Sequence, residues 1–466
     1  MNPIHLSRWS GIYFEKVKQR AGVSIFLNIE PVPSHIMFQP PKGTRDFLPD
    51  EMLKRNWVLD KVREVYEIYG FEPLGTPAFE SWELLKMKSG PDVINQIYYF
   101  KDKSDRELGL RFEWTASLAR VVANHRELLM PFKRYAIGPV WRYENPSEKR
   151  FREFWQADAD TIGVSDSIAD AEILAVAVEC LRKLGFEGFV IKLNDRRILV
   201  AFIQVSGMPK EHIPDIIRIV DKLDKIGRDA VVDELSRYVS NKSFSIDLLE
   251  KIAVKDTPEA VLSQAESFLE NNDQGINGCN SLKKIVEYAK SFGFYEYLTI
   301  DLSLARGLDY YTGPVFEITA KGYEDYGSIA GGGRYDEIIN VFGGESTPAT
   351  GIALGIERII SLLDMKGGFK DLKLGADVLV IAIGKNSESH ALIIAQNLRS
   401  AGIPVLVDLL NRNLRKQLEY ASKKNVRKVI IIGEKELLED SVTVRDMSTG
   451  QQVKVKRIEL LNFIRN

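Results

Sequence analysis

Apolar residues recur at helical spacing over 50–69, where Met52, Leu53, Trp57, Val58, Val62, Val65 and Tyr66 share a stripe. Asp50 is placed to cap that helix and Gly70 to stop it. A second helix is predicted over 164–184, after a Ser/Asp-rich approach. From 192 to about 290 the pattern changes: charged amphipathic helices dominate, such as the one carrying Ile216, Ile217, Val220 and Leu223, and clustered glycines vanish. Strand-like, Gly-rich composition returns at Tyr297. A Gly/Lys-rich linker, 366–375, leads into a regular alternation: strand 376–383, helix 389–401, strand 404–408, helix 413–424 and strand 428–433. Strands alternating with helices imply a small α/β domain with parallel strands.

These shifts predict an N-terminal extension over 1–36, a catalytic domain in two parts, 37–191 and 291–365, a helical insertion over 192–290 and a C-terminal domain over 376–466. The first 36 residues match nothing that follows, and Met37 is expected to be the true first residue. The chain has 466 residues, with 63 Lys+Arg against 65 Asp+Glu, a formal charge of -2, and 45% hydrophobic and 27% charged residues. That composition argues against a disordered or fibrous chain, and its balance excludes a uniformly basic nucleic-acid coat. The two cysteines, Cys180 and Cys279, form no C-x-x-C pair, so a zinc ribbon and a disulfide framework are both excluded and a reduced, cytoplasmic setting is expected. No apolar run approaches the ~20 residues that span a bilayer, and 21–29 lacks a signal-peptide cleavage site. Walker, dinucleotide and protein-kinase glycine motifs are absent. A nucleotide, if used, sits on another fold.

Three stretches carry chemistry. In 132–163 a strand ends at Arg142, a charged Pro-containing turn follows, and a second strand begins near Phe151. Alternation places Arg152, Phe154, Gln156, Asp158 and Asp160 on one face of it. Such a row reads either as a ligand-lined antiparallel sheet or as a solvated hairpin. The second stretch joins Ala305-Arg-Gly-Leu-Asp-Tyr-Tyr311 to Gly331-Gly-Gly-Arg-Tyr-Asp336. Its three glycines allow close backbone approach, and Arg334 and Tyr335 favour a pocket wall over a bare hairpin. The third, 347–363, runs small residues up a strand into a helix that starts near Gly355, with Arg358 in the first turn, where helix starts favour anions.

In this order, the stretches resemble the class II aminoacyl-tRNA synthetases, and among them the histidyl-tRNA synthetases. Residues 70–77 look like motif 1, 142–160 like motif 2 and 351–358 like motif 3. The segments 305–311 and 331–336 look like the two stretches peculiar to the histidine enzymes, and 41–49 resembles their usual opening. The resemblance covers about 38–466. It implies an α+β fold: a six-to-seven-stranded antiparallel sheet flanked by helices, with a helical insertion and a C-terminal α/β anticodon-binding domain. The implied activity is ATP-dependent attachment of L-histidine to tRNA(His) through a histidyl-adenylate. Arg142 and Arg306 are then catalytic, both on the ATP α-phosphate. Arg142, Glu144, Arg150, Phe154 and Arg358 bind ATP, with Phe154 and Arg358 sandwiching the adenine. Glu113, Thr115 and Gln156 hold the α-amino end of histidine and Arg142 its carboxylate, and Arg306 also counts among the histidine-binding residues. Asp160, Tyr310, Tyr311 and Tyr335 line the imidazole site. Trp114, which replaces the usual glycine of an E-G-T run, counts with the histidine-binding residues, and Asp160 stands where bacterial relatives usually carry glutamate. Magnesium (Mg2+) escorts the ATP phosphates, and no side chain is assigned to a resident metal. The basic residues Arg412, Arg415, Lys416, Lys423, Lys424, Arg427 and Lys428, against the single acid Glu419, suit contact with RNA phosphates. A homodimer is implied by motif 1. The rival reading is a histidine-binding regulatory paralogue acting with ATP phosphoribosyltransferase; retention of Arg142, Arg306, Arg358 and residues 376–466 weighs against it.

Overall fold

The computed structural model describes residues 38–87, 91–147, 150–239, 241–305, 310–372, 375–410 and 412–465. Contacts divide the chain into Met1–Pro41 and Lys42–Asn466. Of the first unit only 38–41 are described, and they carry no regular element. The expected extension, the Met37 start and Arg306 all lie outside the described residues.

Helix α1 (Pro49–Ile68) opens the second unit. Its start differs from expectation. Leu48 is the N-cap, Pro49 takes the first helical position, and Glu51, not Asp50, receives the free Leu48 N–H through its side chain at 3.2 Å. Proline suits that position because its missing N–H would have had no partner there. The strands follow as β1 (Glu72–Pro73), β2 (Phe79–Ser81), β3 (Tyr99–Lys101), β4 (Glu107–Leu110), β5 (Phe132–Trp141), β6 (Glu153–Ile162), β7 (Phe189–Asp195), β8 (Leu298–Ile300), β9 (Pro314–Ala320), β10 (Ala330–Arg334) and β11 (Ala349–Gly355). Eight of these form the central sheet in the order β1-β5-β6-β11-β10-β9-β7-β8. The expected six or seven strands become eight because β1 and β8 add edges, each parallel to its neighbour, while the other pairs are antiparallel. Strands β2, β4 and β3 make a separate small sheet.

The two faces of the central sheet differ in composition. Tyr135, Ala157, Ala159, Phe316, Ile318, Ile352 and Leu354 join the main core. Helices α2 (Thr115–Asn124), α3 (Ile168–Lys183), α4 (Arg196–Val205), α5 (Asp273–Phe292) and α6 (Ile356–Met365) surround the sheet. Helix α3 packs against α1, α5 and β11, and is accordingly apolar on nearly every side, from Ile173 through Val178 to Leu181. The helical segment runs from Arg196 to Phe292, because 189–195 forms a strand of the central sheet. Its apolar residues, among them Ile198, Phe202, Leu262 and Leu282, share one continuous core with the sheet.

The C-terminal sheet has five strands: β12 (Val378–Ala382), β13 (Val405–Val407), β14 (Lys428–Ile432), β15 (Ser441–Asp446) and β16 (Gln452–Lys456), in the order β13-β12-β14-β15-β16. The first three are parallel, as the alternation with helices α7 (Glu388–Ser400) and α8 (Leu414–Lys423) predicts. Strands β15 and β16 add an antiparallel hairpin.

Two close approaches fix the central strands. A Cβ on Gly332 would lie 1.9 Å from the Gly351 carbonyl oxygen, and one on Gly351 would lie 1.9 Å from Asp160 Oδ1. Only glycine fits at either position. Arg334 departs from its expected place on a pocket wall: alternation along β10 turns it to the helix face. There its Nη2 donates to Asp170 Oδ2 at 2.7 Å, and its Nη1 to the Val164 carbonyl at 2.9 Å. Asp170 is fully buried. Burial pushes its carboxyl up, and the Arg334 charge opposes that shift. Removing one partner of such a pair leaves a bare buried charge, at a cost of about 3–5 kcal/mol. Arg334→Met is therefore expected to lower the unfolding free energy by that order in a denaturant titration, and Arg334→Met with Asp170→Leu to recover most of it. Equal losses in the single and double variants would show that the ion pair is not what holds this corner.

Candidate active site

Strands β5, β6, β11 and β10 present matched rows on the face opposite the core. Arg134 stands across from Asp160, Asp160 from Gly351, and Gly351 from Gly333. The next row is Ala136, Asp158, Ala353 and Gly331, and the third sets Gly138 beside Gln156 and Gln156 beside Gly355. Small residues on β10 and β11 leave room above the sheet, and the carboxylates of β6 project into it. The result is a cavity of about 420 Å³. Burial grades along β6, from partly exposed Glu153–Gln156 to fully buried 157–162. At roughly 3.3 Å per residue, the six steps from Phe154 to Asp160 span about 20 Å.

The cavity brings together Glu113, Thr115, Arg142, Glu144, Arg150, Phe154, Gln156, Asp160, Tyr310, Tyr311, Tyr335 and Arg358. Of the expected site residues, Trp114 is not on its lining and Arg306 lies outside the described residues. Trp114 is buried beside the cavity against Ala136, Val140 and Phe154, and Arg111 stacks on its ring at 3.8 Å. Its partner is Gly138, where a Cβ would meet the indole at 3.0 Å. The tryptophan thus packs behind Phe154 and stays off the cavity lining. Arg152, expected on the Phe154 face, precedes the strand; its Nε donates to the Glu144 carbonyl at 3.0 Å and its guanidinium covers Tyr143.

Glu113 reaches the start of α2, where Oε2 accepts from Thr115 N–H at 2.5 Å and Oε1 from Ala116 N–H at 2.8 Å. A carboxylate there satisfies N–H groups that the helix cannot, and favours the positive end of the helix dipole. Burial raises the Glu113 carboxyl; the two backbone hydrogen bonds and Arg142 counter that shift. Arg142 is aimed by its Nε–H to the Phe112 carbonyl, 3.1 Å, and lies 5.1 Å from the Phe154 ring centroid. In the first turn of α6 Arg358 donates to the Ser328 carbonyl at 2.6 Å. The neighbouring Glu357 fixes the α6 start: it accepts from Trp155 N–H at 2.8 Å and pairs with buried Arg55 of α1 at 2.8 Å. At the mouth, Glu144 and Arg150 approach to 3.5 Å with Arg150 largely exposed.

At the deep end, Asp158 lies on the face that alternation along β6 predicts, and behind it sits Arg134, which the sequence reading did not select. Asp158 is fully buried, and burial pushes its carboxyl well above the ordinary range, with Arg134 opposing and Asp160 adding to the rise. Arg134 lies 2.7 Å from Asp160 Oδ2 with its side chain 1% exposed. Tyr335 donates its hydroxyl to Asp160 Oδ1. Tyr310 contacts both other phenols, with ring centroids 4.9 Å from Tyr311 and 5.9 Å from Tyr335. Counting the hairpin register from Arg142 and Arg152 inward would have found Arg134, since positions 134 and 160 fall opposite each other. Among the described residues, no group of three or more His, Cys, Asp or Glu side chains is arranged to hold a metal ion.

The C-terminal basic row is less bare than its sequence implied. Arg412 pairs with Asp408 at 2.6 Å and stacks on Tyr420, Arg427 pairs with Asp377 at 2.9 Å, and Arg415 pairs with Glu419 at 3.2 Å. Two further acids therefore temper it. Lys416, Lys423 and Lys424 remain exposed.

The comparisons with known proteins agree with this geometry. The profile of the histidyl-tRNA synthetase family matches residues 43–359, and that of the anticodon-binding domain matches 377–466. The histidine--tRNA ligase of Pyrococcus furiosus is 41% identical over 431 residues, 92% of this chain and 99% of its own. The Methanocaldococcus jannaschii counterpart is 40% identical, covering 92% and 100%. Among solved structures, the histidyl-tRNA synthetase of a Nostoc species aligns with a TM-score of 0.80 at 33% identity, covering 92% of this chain and 99% of its own. No helix among the described residues is long and apolar enough to cross a membrane. The chain belongs to the histidyl-tRNA synthetase family, and an anticodon-binding domain follows its catalytic part.

Proposed function

We propose that this cavity joins L-histidine to ATP and that the resulting histidyl-adenylate is passed to tRNA(His). The single observation that carries the reading is one continuous cavity with a row of buried acids and phenols at one end and Arg142, Phe154 and Arg358 toward the other. Gln156 Oε1 and Asp158 Oδ1 are buried without a hydrogen-bond partner among the described residues. An amino acid's ammonium group supplies the donors such acceptors require, since buried polar atoms rarely stay unpaired. The imidazole would then lie by Asp160, Tyr311 and Tyr335. An apolar competitor would strand those groups, and that is how a polar pocket rejects it.

In the chemical step the histidine carboxylate oxygen attacks the α-phosphorus and pyrophosphate leaves. Negative charge grows on the α-phosphoryl oxygens, where a fixed guanidinium stabilises the transition state more than the ground state. Arg142 suits that place because its Nε is already held by the Phe112 carbonyl. Arg306 is assigned the same oxygens by resemblance of 305–311 alone. Phe154 and Arg358 would bracket the adenine, Glu144 would accept from its amino group, and Arg150 at the mouth would reach the outer phosphates. The carboxylates present do not form a metal cage, so magnesium enters here as part of the nucleotide substrate, bound to its phosphates. Membership of this family supports a cytoplasmic setting, and the exposed lysines of α8 support contact with tRNA phosphates.

ATP–pyrophosphate exchange, run with each amino acid in turn, is expected to proceed with histidine alone; exchange with no amino acid would favour a regulatory role. Arg142→Ala is expected to slow that exchange about 100- to 1000-fold, the scale for losing one fixed donor to a developing oxyanion. Arg306→Ala should abolish adenylate formation while histidine binding, followed by calorimetry, survives. Full activity in the Arg306 variant would refute its role. A homodimer built through 70–77 should sediment at twice the chain mass; a monomer at working concentration would remove that part of the reading.

A further inference from the structure

Behind the acids that line the cavity lies a buried cation that no expected role uses. Arg134 projects from β5 with its side chain 1% exposed, directly across the hairpin from Asp160 and 2.7 Å from its Oδ2. Its Nε, Nη1 and Nη2 make no aligned hydrogen bond among the described residues. What compensates the guanidinium is carboxylate charge. An arginine whose purpose was to brace the sheet would find backbone carbonyls instead, as Arg334 and Arg111 do. Buried cations without such bonds are costly, so this one is held in place by the acids beside it.

Asp160 has little freedom. Its Oδ1 occupies the space that a Cβ on Gly351 of the next strand would fill. Tyr335, from the turn after β10, donates to the same oxygen. Asp158 stands two residues back on the same strand, and Tyr66 of α1 is near enough on the other side of the sheet to feel both acids. Beyond Asp158 lie Glu113 and Arg142. Of these groups, Arg134 is the cation nearest the Asp160 carboxylate.

We propose that Arg134 is a positioning residue which acts through Asp160: it keeps that carboxylate charged and turned toward the substrate side chain, so that the pocket selects an imidazole presenting an N–H donor. This rests on the reading of the cavity as a histidine site. Burial drives the Asp160 carboxyl upward, and Arg134 is the largest influence against it, followed by the Tyr335 hydroxyl. Removing Arg134 therefore raises the Asp160 pKa further. A protonated Asp160 donates where it should accept, and it clashes with an imidazole N–H. Raising the pH restores the carboxylate, so the defect must shrink as pH rises.

The test is the KM for histidine in ATP–pyrophosphate exchange for wild type, Arg134→Met, Arg134→Gln and Arg134→Lys, between about pH 6 and pH 8.5. Taking the ratio of variant to wild type cancels the titration of histidine itself. For the two neutral variants the ratio is expected to be large at low pH and to fall by up to about tenfold per pH unit, with the KM for ATP little changed. Arg134→Lys, which keeps a cation, should lie close to wild type and be nearly flat. In an Asp160→Asn background, Arg134→Met should add less than about threefold. A pH-independent ratio, a full multiplicative effect in the Asn background, or folding of the lysine variant alone would each overturn the proposal and mark the pair as structural. Wild type failing to use histidine would instead overturn the reading of the cavity, a result separate from any variant's behaviour.

Discussion

The structure is organised around a burial problem: a strand in the middle of the molecule carries ionisable side chains into its interior. On β6, Gln156, Asp158 and Asp160 occupy one face while Ala157 and Ala159 pack into the core behind them. Desolvation opposes each charge, and a sheet with only apolar neighbours could not hold them. Compensation comes from both flanking strands: β5 supplies a cation and β11 supplies space. Because side chains alternate strictly along strands, a one-residue slip of either neighbour would turn Arg134 or Gly351 to the wrong side. The register of three strands is thus tied to the charge state of one row.

Glycine does related work elsewhere in the sheet. Gly332 allows β10 and β11 to approach so closely that no side chain fits between them. Gly333 offers its open face to the Tyr311 ring, which would lie 2.9 Å from a Cβ placed there. Two successive residues therefore serve opposite faces for different reasons, one for backbone contact and one to seat an aromatic wall. Arg334 continues the alternation and returns to the helix face to meet Asp170. The segment 331–336 combines structural and pocket duties by period two alone.

The sequence showed most clearly what depends on local pattern. The period-two hairpin at 132–163, the helix following Gly355 and the strand-helix alternation after 376 all have near-neighbour causes. What it missed has causes in register and partner. The position of Trp114 between Glu113 and Thr115 suggests the pocket, yet its indole lies over Gly138, a contact visible only after α2 docks on β5. Arg334 was credited to the wall because it sits beside Tyr335, although alternation already put the two on opposite sides. Arg134 carries no such signal, because cations early in a strand usually point to solvent; only the hairpin pairing makes it the partner of Asp160. The edge strands β1 and β8 are two and three residues long, below what any periodicity can mark.

On the proposed reading, the two ends of the cavity need different physical properties. Choosing a side chain requires a rigid site, since selectivity comes from groups that cannot relax around the wrong guest. The deep acids are accordingly mounted on strands whose neighbours fix them from both sides. A triphosphate brings several charges and must release pyrophosphate, so burying its end as deeply would trap the product. Arg150 and Glu144 sit instead on the connection between β5 and β6, with Arg150 61% exposed, where water can enter. One hairpin can therefore serve both demands: its paired strands hold the selective end, and its unpaired connection handles the charge that must come and go.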